Sequence, residues 1–501
     1  MPQDAAQELL NRRNARKGLL AFTQYTYPQY QADLVHGLIA GHLDRVVAGE
    51  IRRLMIFAPP QHGKSELTSV RLPAYWLGRR PNDPIIITSY GAELAESKSR
   101  QARDIVESGE YRALFGDLRA GEIESVQVRP DSRAVQRWQL MHPNRGRVLA
   151  VGVGGPVTGH GALLGIIDDP HENWEEAQSA TMRRRVWEWY RGTFRTRIWE
   201  GGAIVLIMTR WHEDDLAGKL LKEQPGQWTV LRLPAIAESQ EERDNNNRLM
   251  GLPLGEPDPL GRAAGEAVAP KRYSATELQS IAKDVGSMVF GAEYQGSPRA
   301  TEGNLIKRPW LRIVTQAAPA TPYRIRYWDK AASVSKSAKF SAGVRLAIAL
   351  DGRVVIEDVV HGQWTTKERR NVMLQTAQLD AAAFNNGVFV FIEQEPGSSG
   401  VDSVQDEIAL LAGYPVFADK ATGDKDVRLM PFIAQAEALN VVLLQGAWNQ
   451  VYIDEMVVVP NGTYRDQVDA TAGAYNRAIE LVRTPPARTV VHEEFVSISQ
   501  F

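Results

Sequence analysis

Cysteine is missing from this sequence of 501 residues. Its absence excludes disulfide bonds and cysteine-ligated zinc, and it fits a reducing cytoplasm. Long apolar runs are missing as well. The longest, such as Ala203–Met208 and Val388–Ile392, have the length of a β-strand, whereas a membrane-spanning helix needs about 20 apolar residues. Because charges also interrupt every apolar stretch near the N-terminus, we expect no signal peptide and a soluble protein.

An excess of charge of either sign is also absent. The 58 Lys and Arg residues nearly balance the 60 Asp and Glu residues, which leaves a net charge of −2. A nucleic-acid partner must therefore bind through local basic patches. A hydrophobic content of 44% is typical of globular proteins. A chain of this length predicts two or three domains.

The first half alternates short β-rich runs with helical stretches, which predicts an α/β domain with a mainly parallel sheet. The predicted strands are Leu54–Phe57, Ile85–Ser89, Val148–Val151, Leu164–Ile167 and Ala203–Met208. Charged segments with helical periodicity lie between them, including Ala92–Val106 and Ala177–Arg197. Residues 238–267 are rich in Asn, Gly, Pro and acids, and they predict a loop or insertion.

A helical piece follows at Ser274–Val285, and the turn-rich residues 296–304 come next. We place the boundary to a second domain near Asn304–Thr321. Strands separated by turn signals and followed by helices predict a second α/β or α+β sheet. These strands are Tyr323–Asp329, Ser341–Leu350, Gly352–Val360 and Val388–Ile392.

The first chemical motif is a phosphate loop. A predicted strand ends at Phe57, and the sequence APPQHGKS at 58–65 leads into a helix-compatible stretch. Backbone N–H groups and the helix N-terminus of such a loop cradle phosphates. Lys64 would reach the β- and γ-phosphates, and the Ser65 hydroxyl would bind Mg²⁺. Ala58 replaces the first glycine of the usual pattern, so a turn before a surface helix is the alternative.

The nucleotide-binding residues that this loop predicts are Pro60, Gln61, His62, Gly63, Lys64, Ser65 and Glu66. A second motif complements the loop: the apolar strand 163–167 ends in Asp168 and Asp169. A P-loop nucleoside triphosphatase needs one acid in the magnesium shell and another that activates water. We assign Asp168 to the metal and Asp169 to the water. Acids that face solvent at a strand end are the alternative.

Four segments of the first half resemble, in order and spacing, the ATPase half of the large terminase subunits of tailed bacteriophages. They are PPQHGKSE at 59–66, SYGAELAESKSRQARDIVESGEYRALFGD at 89–117, GVGGPVTGHGALLGIIDDPHEN at 152–173 and GGAIVLIMTRWHEDDLAG at 201–218. The resemblance continues through GSMVFGAEYQGSPRATEGNLIK at 286–307 and into the second domain. It implies a P-loop ATPase of the ASCE type.

The resemblance also implies roles for residues outside the loop. Thr209 and Arg210 would couple hydrolysis to movement, although an ion pair with Asp214 or Asp215 explains Arg210 equally well. Gln31 or Gln29 would contact adenine, although a solvated helix face is the alternative for both.

At two positions this sequence departs from the pattern of the family, and at both the family commonly has an arginine. Related sequences commonly carry Arg where this chain has Gln61, and an Arg-Gly pair where it has His160-Gly161. That second arginine is the usual candidate for the arginine finger that acts in trans between neighbouring subunits of a ring. The remaining candidates for the finger are Arg145, Arg147, Arg195 and Arg197.

The second domain contains five acids at strand ends or at the start of a helix. They are Asp329, Glu393, Glu395, Asp466 and Asp469. Acids brought together by an RNase H-like sheet can hold two divalent ions about 4 Å apart, and oxygen-only ligands favour Mg²⁺ or Mn²⁺. Spacing alone favours unrelated strand-end acids. The resemblance implies a metal-dependent nuclease. As metal ligands it favours Asp329 most, then Glu393 over Glu395, and Asp466 over Asp469.

Two further basic features predict contacts with DNA. Lys425 and Arg428 would contact the scissile backbone, although a solvated loop is an equal alternative. The aromatic and basic stretch Met182–Arg197 would face DNA, although such a stretch more often packs a core on one side and solvates charge on the other.

We therefore expect four parts: an N-terminal helical segment (1–50), a P-loop ATPase core (51–230), a lid (231–305) and an RNase H-like nuclease (306–501). The resemblance implies a motor that uses ATP and Mg²⁺ to drive double-stranded DNA into a procapsid, with a nuclease that cuts concatemeric DNA. The partners would be the portal protein, a small terminase subunit and sibling subunits in a ring. The location would be the host cytoplasm, docked on the procapsid and absent from the mature virion. The alternatives are an ATP-regulated nuclease of repair or defence and an inactive DNA-binding virion component.

Overall fold

The computed structural model describes residues 2–116, 126–298, 305–317, 319–330, 340–394, 398–420, 425–460 and 464–483. The chain divides into two units, residues 1–302 and 303–501. The finer division of the first unit at residues 50 and 230 stays a prediction. No helix in the described ranges combines the length and the apolar character that a membrane span requires.

Eight strands are described in unit 1. They are β1 Arg53–Phe57, β2 Pro84–Ser89, β3 Val128–Ala134, β4 Arg137–Leu140, β5 Arg147–Gly152, β6 Ala162–Asp168, β7 Ile198–Met208 and β8 Thr229–Arg232. All of them join one sheet in the order β3-β4-β5-β2-β6-β7-β1-β8. Strands β5, β2, β6, β7, β1 and β8 are parallel, and β3 and β4 form an antiparallel edge. The five predicted strands are therefore present in the predicted parallel sheet.

The parallel strands are buried on both faces. Leu54 and Ile56 of β1 pack into one apolar cluster, whereas the alternate residues Met55 and Phe57 pack into another. Side chains on a strand alternate between the two faces, so both faces of the sheet must be covered by helices.

Helices cover the sheet of unit 1. The described helices are α1 Pro2–Ala15, α2 Leu19–Thr26, α3 Leu34–Val47, α4 Leu72–Arg79, α5 Ala92–Val106, α6 Gly109–Phe115, α7 Trp174–Gln178, α8 Ala180–Trp189, α9 Leu216–Glu223, α10 Gln240–Met250 and α11 Ala275–Val289. The single helix predicted over Ala177–Arg197 is instead broken. Ser179 ends α7 and caps α8, and a π-helical turn and a short 3₁₀ turn follow α8.

The loop predicted over residues 238–267 is wrong in part, because this stretch contains α10. Ser239 begins the helix with a capping box. The buried side of the helix is polar: Asn246 donates to an acidic side chain at 2.7 Å, and Asn247 donates to a backbone carbonyl at 2.8 Å. A helix that buries amides shows no apolar periodicity, which explains why the sequence pattern missed it.

Seven strands are described in unit 2. They are β9 Arg312–Val314, β10 Ala320–Asp329, β11 Ser341–Ala349, β12 Val354–Gly362, β13 Val388–Glu393, β14 Val416–Asp419 and β15 Val441–Leu444. Their order is β14-β13-β10-β11-β12-β15-β9. Strands β10, β11 and β12 are antiparallel neighbours, and β13 and β14 extend the sheet in parallel beside β10. This arrangement is the strand order of an RNase H-like sheet.

The helices described in unit 2 are α12 Thr366–Phe384, α13 Ser398–Leu410, α14 Lys425–Glu437, α15 Asn449–Met456 and α16 Asp466–Arg483. Helix α16 lies directly against β10. A Cβ atom on Gly473 would come within 2.3 Å of the Tyr327 ring, so only glycine permits this approach. The contact brings the first turn of α16 to the end of β10.

Candidate active sites

The first candidate site lies at the carboxyl end of the parallel sheet in unit 1. Lys64, in the loop after β1, is buried and donates from Nζ to Thr209 Oγ1 at 2.6 Å. Its Nζ also lies 3.5 Å from Asp169 Oδ2. The Ser65 hydroxyl donates to Asp168 Oδ1 at 2.9 Å. The loop and the acid pair predicted from sequence are therefore brought into one site.

Strand order explains why these residues meet. Strand β7 lies between β1 and β6, and all three run parallel. Their carboxyl ends share one edge of the sheet, because Phe57 pairs with Met208 and Asp168 pairs with Ile207. A strand inserted between the phosphate-loop strand and the acid strand defines the ASCE arrangement.

Two acids of this site have raised pKa values. Burial, followed by the charge of Asp169, raises the pKa of Asp168 to about 6. Burial also raises the pKa of Glu293 to about 7, and the charges of Lys64 and Asp169 act on it as well. Glu293 was not predicted from sequence, although it lies in the segment 286–307 that carries the resemblance.

Asp169 and Arg210 have protein partners at the end of β7. Asp169 adopts a positive φ of 46°, and its Oδ1 accepts a hydrogen bond from the Thr209 backbone at 2.7 Å. The buried Arg210 Nε donates to both oxygens of Asp215, at 2.8 and 3.1 Å. Of the two acids offered as ion-pair partners of Arg210, the structure selects Asp215. Coupling by Thr209 and Arg210 stays a prediction.

The rest of the loop is tightly enclosed. Gln61 and Gly63 have positive φ values of 63° and 75°. A Cβ atom on Gly63 would lie 2.9 Å from His36 Nε2, so this position requires glycine. His62 Nδ1 donates to the Pro60 carbonyl at 2.7 Å.

The outer residues of the predicted nucleotide site differ in their exposure. Glu66 accepts from Arg71 at 2.7 Å in the helical turn after the loop, and Gln31 is exposed just before α3. No contact tests the proposed adenine role of Gln31. His160 is half-buried, and burial lowers its pKa, so it is neutral near pH 7 and lacks the charge of an arginine finger.

The second candidate site lies in unit 2, where β10 ends in Asp329 and the parallel strand β13 ends in Glu393. Burial raises the pKa of Asp329 well above its usual range. The charges of Glu393, Asp469 and Asp466 raise it further, and Lys425 opposes them. The structure therefore brings the predicted acids within electrostatic reach of one another. Asp466 and Asp469 both act on Asp329, and the preference for Asp466 over Asp469 as a metal ligand stays a prediction.

Cations occupy the oxygens of two of these acids. Lys425 forms an ion pair with Asp469, and Arg428 Nη1 lies 3.1 Å from Glu393 Oε1. Both cations lie in α14 rather than in a loop; Arg428 is largely buried, whereas half of the Lys425 side chain is exposed to solvent. Glu393 Oε2 is buried without a hydrogen-bond partner among the residues described.

The donor chemistry of this site fits a hard divalent cation, because all the candidate ligands are carboxylate oxygens. Across the ranges that the structure describes, no group of three Asp, Glu or His side chains is arranged to hold an ion as it stands. Two of the acids, Asp469 and Glu393, are instead paired with Lys425 and Arg428. Glu395 lies outside the described residues, so its competition with Glu393 stays open.

Asp419 ends β14 beside Glu393 and was not among the acids predicted from sequence. Its Oδ2 accepts from the Tyr327 hydroxyl at 2.8 Å, and its Oδ1 accepts from Arg477. With both oxygens engaged by protein donors, Asp419 supports the site. Its position at a strand end was the available signal.

The stretch Met182–Arg197 packs an aromatic core. Trp187 and Tyr190 are buried, with stacked rings 6.0 Å apart. Charged side chains such as that of Arg184 are exposed. This matches the alternative of a packed face opposite a solvated one, and contact between these arginines and DNA stays a prediction.

Together these features define a class: an ASCE-type P-loop ATPase fold with a lid, followed by an RNase H-like nuclease fold. The family model of the terminase large subunit, T4likevirus-type, N-terminal, matches residues 55–313. The chain belongs to the family of terminase large subunits.

Several solved structures are similar to the chain. A large terminase from a thermophilic bacteriophage (crystal form 2) is 8% identical with a TM-score of 0.49, and the match covers 90% of this chain and 100% of that one. The HK97 bacteriophage large terminase is 12% identical with a TM-score of 0.32, and the match covers 90% and 95% of the two chains. The large terminase nuclease from thermophilic phage G20c with bound magnesium is 12% identical with a TM-score of 0.26, and the match covers 36% and 99%. No curated protein sequence matches the chain.

Proposed function

We propose that this protein is a DNA-packaging motor that hydrolyses ATP to drive double-stranded viral DNA into a procapsid and cuts concatemeric DNA when packaging starts and ends. One observation carries the proposal: a single chain of the terminase large-subunit family has an assembled phosphate loop in one unit and a crowded acid cluster in the other. ATP hydrolysis and DNA cleavage are the two activities that a packaging enzyme must combine.

In the ATPase unit, each residue has a defined task. Lys64 leaves Thr209 and Asp169 to bind the β- and γ-phosphates. Ser65 and Asp168 offer the oxygen pair for Mg²⁺, which would neutralise phosphate charge when bound. Asp169 orients the attacking water. The 8%-identical large terminase named above has itself been solved in complex with ADP and with ATP-gamma-S, in another crystal form.

In the nuclease unit, Asp329, Glu393, Asp466 and Asp469 would hold Mg²⁺ or Mn²⁺. When bound, these ions supply the charge that activates water and stabilises the leaving oxygen of a phosphodiester. Lys425 and Arg428 leave their acid partners and face the DNA backbone, where their charges pair with phosphate. The G20c nuclease has itself been solved with bound magnesium.

The partners and location follow from this role. We propose that the chain binds the portal protein and a small terminase subunit, and that it assembles with sibling subunits into a ring on the portal. It would act in the host cytoplasm while docked on the procapsid, and it would not enter the mature virion.

The first test is digestion of supercoiled plasmid with Mn²⁺ or Mg²⁺, with ATP turnover followed in the same tubes. Asp329→Ala should abolish cleavage, because the central ligand is lost, while ATP turnover persists. Asp402→Ala, which removes an exposed acid of the same unit, is the matched control and should cleave like the wild type. Unchanged cleavage by Asp329→Ala would overturn the nuclease assignment.

An ATP-regulated nuclease that never translocates is the rival function. It would cleave plasmid and turn over ATP, yet procapsids supplied with the protein, its partners and DNA would protect no DNA from added nuclease. Protected DNA in that assay supports the motor.

A further inference from the structure

We infer that Arg272, in the lid that follows the ATPase core in sequence, binds the phosphates of the nucleotide in the same chain. This inference rests on the proposed ATPase function and adds a residue to it. The Arg272 guanidinium donates from Nη1 to the carbonyl of Gln61 in the phosphate loop. The next residue, Tyr273, places its ring 5.4 Å from that of His62. Two successive lid residues therefore contact two successive loop residues.

Within the described residues, Arg272 forms no ion pair with a carboxylate, and its side chain is exposed. The nearby acids Asp169 and Glu66 pair with other cations, Lys64 and Arg71. The positive charge of Arg272 nevertheless reaches the loop: after burial, it is a cause of the lowered pKa of both His36 and His62. An exposed cation at the mouth of a phosphate loop is placed to receive an anion.

The geometry of the contact suits an exchange of partners. A guanidinium presents a planar fork of donors that matches two oxygens of a phosphate, and such charge-assisted pairs are stronger than a bond to a neutral carbonyl. In the contact described, Nη1 alone meets the Gln61 carbonyl. A triphosphate in the loop would offer better acceptors to the whole fork.

The backbone around Arg272 is fixed within the lid. Its N–H donates to the Ala269 carbonyl at 2.9 Å, and the N–H of Val268 donates to the Ala235 carbonyl at 2.8 Å. Ser274 then caps α11 by accepting from the Glu277 backbone at 3.1 Å. Because these hydrogen bonds fix Arg272 within the lid, a phosphate that binds its side chain would also hold the lid against the phosphate loop. Loss of the γ-phosphate would weaken this interaction.

The test compares binding of ADP and of a non-hydrolysable ATP analogue to the full-length protein by titration calorimetry. Arg272→Ala should weaken binding of the ATP analogue about 10-fold or more, the range for a hydrogen bond to a charged group. Binding of ADP should weaken less, and the nucleotide-free unfolding temperature should stay unchanged. Arg272→Lys, which keeps the charge but loses the fork, should fall between the wild type and Arg272→Ala.

Lys271→Ala is the matched control, since it removes the exposed cation next in the chain and should bind both nucleotides like the wild type. Equal binding by Arg272→Ala and the wild type would overturn the inference alone. Equal weakening of both nucleotides together with a lower unfolding temperature would also overturn it, because it would mark a structural role. A wild-type protein that binds neither nucleotide would instead overturn the ATPase function on which the inference rests.

Discussion

The two candidate sites differ in how they hold charge without ligands. In unit 1, the buried Lys64 has a neutral hydroxyl partner at 2.6 Å and a carboxylate at 3.5 Å, so its charge is only partly compensated. In unit 2, several acids share one site, and cations from α14 pair with two of them. The first site is poised for an anion and the second for cations.

The comparison shows that the two sites need opposite changes before they work. A phosphate can enter the loop once Lys64 exchanges the Thr209 hydroxyl and the more distant Asp169 carboxylate for phosphate oxygens. A metal must first compete with Lys425 and Arg428 for their acids and displace any protons held at raised pKa. We therefore expect the nucleotide site to form readily and the nuclease site to depend strongly on conditions.

The largest expected effect comes from a substitution in unit 1 that should inactivate the nucleotide site and leave the nuclease site intact. Lys64→Ala should lower ATP turnover by about 100-fold or more, the range for removing one preorganised donor to developing negative charge. Plasmid cleavage by the same preparation should stay close to the wild-type rate, because the acids of unit 2 are intact. Phosphate release and gel-based cleavage measure the two activities.

Lys17→Ala, which removes an exposed lysine of unit 1, should leave both activities unchanged. Retained ATP turnover in Lys64→Ala would refute the phosphate-loop assignment. Retained packaging into procapsids would refute the motor.

A smaller effect is a difference between the two sites in how their metal requirement depends on pH. Burial and neighbouring acids raise the pKa of Asp329 well above its usual range, whereas the pKa of Asp168 is raised only to about 6. Metal binding requires ionised ligands, so the Mn²⁺ concentration for half-maximal cleavage should rise several-fold as pH falls from about 8 to about 6.5. The Mg²⁺ requirement of ATP turnover should change less, since Asp168 is mostly ionised over that interval. Identical pH dependence of the two requirements would contradict this prediction.

The smallest effect concerns the cation that pairs with Asp469. Without metal, Lys425→Ala should lower the free energy of unfolding by about 1 to 2 kcal/mol, between the values for exposed and buried ion pairs. Mn²⁺ should restore more stability to this variant than to the wild type, because the ion then meets no competing ammonium. Urea unfolding with and without Mn²⁺ measures both effects.

Lys367→Ala, which removes an exposed lysine at the start of α12, should show neither effect. A metal-free stability equal to that of the wild type would mean that the Lys425 contact contributes nothing.

Much of the fold was predictable because its signals are local. The five predicted strands of unit 1 are apolar runs bounded by turns, and α5 occupies Ala92–Val106 as predicted. Its buried positions Ala95, Ser99 and Ala102 recur at helical spacing. In contrast, α10 is held by buried amides and a capping box, which apolar periodicity does not detect.

The sites divide along the same line. Lys64 and Ser65 lie in a recognisable loop, and Asp168 ends an apolar strand that complements it, so sequence pattern could propose these three. Asp329 and Glu393 also lie at strand ends, but because acids end many strands, their assignment depended on the family resemblance. Glu293 and Arg272 reach the loop only because the lid folds onto it from more than 200 positions away, as the separation of 211 between Arg272 and Gln61 shows. Contacts of such long range depend on tertiary structure, and no local pattern encodes them.

The segment from Thr209 to Gly218 has a consequence for how this protein can vary. Asp215 accepts from the Arg210 side chain and from the backbone of Gly218, and the close approach of the Glu213 carbonyl leaves no room for a Cβ at Gly218. These residues therefore depend on one another. Replacing Asp215 would leave the buried Arg210 charge without its partner, and a side chain at Gly218 would clash with the Glu213 carbonyl. A single substitution at Arg210, Asp215 or Gly218 should therefore destabilise the end of β7, even though these contacts lie within the protein and involve no nucleotide.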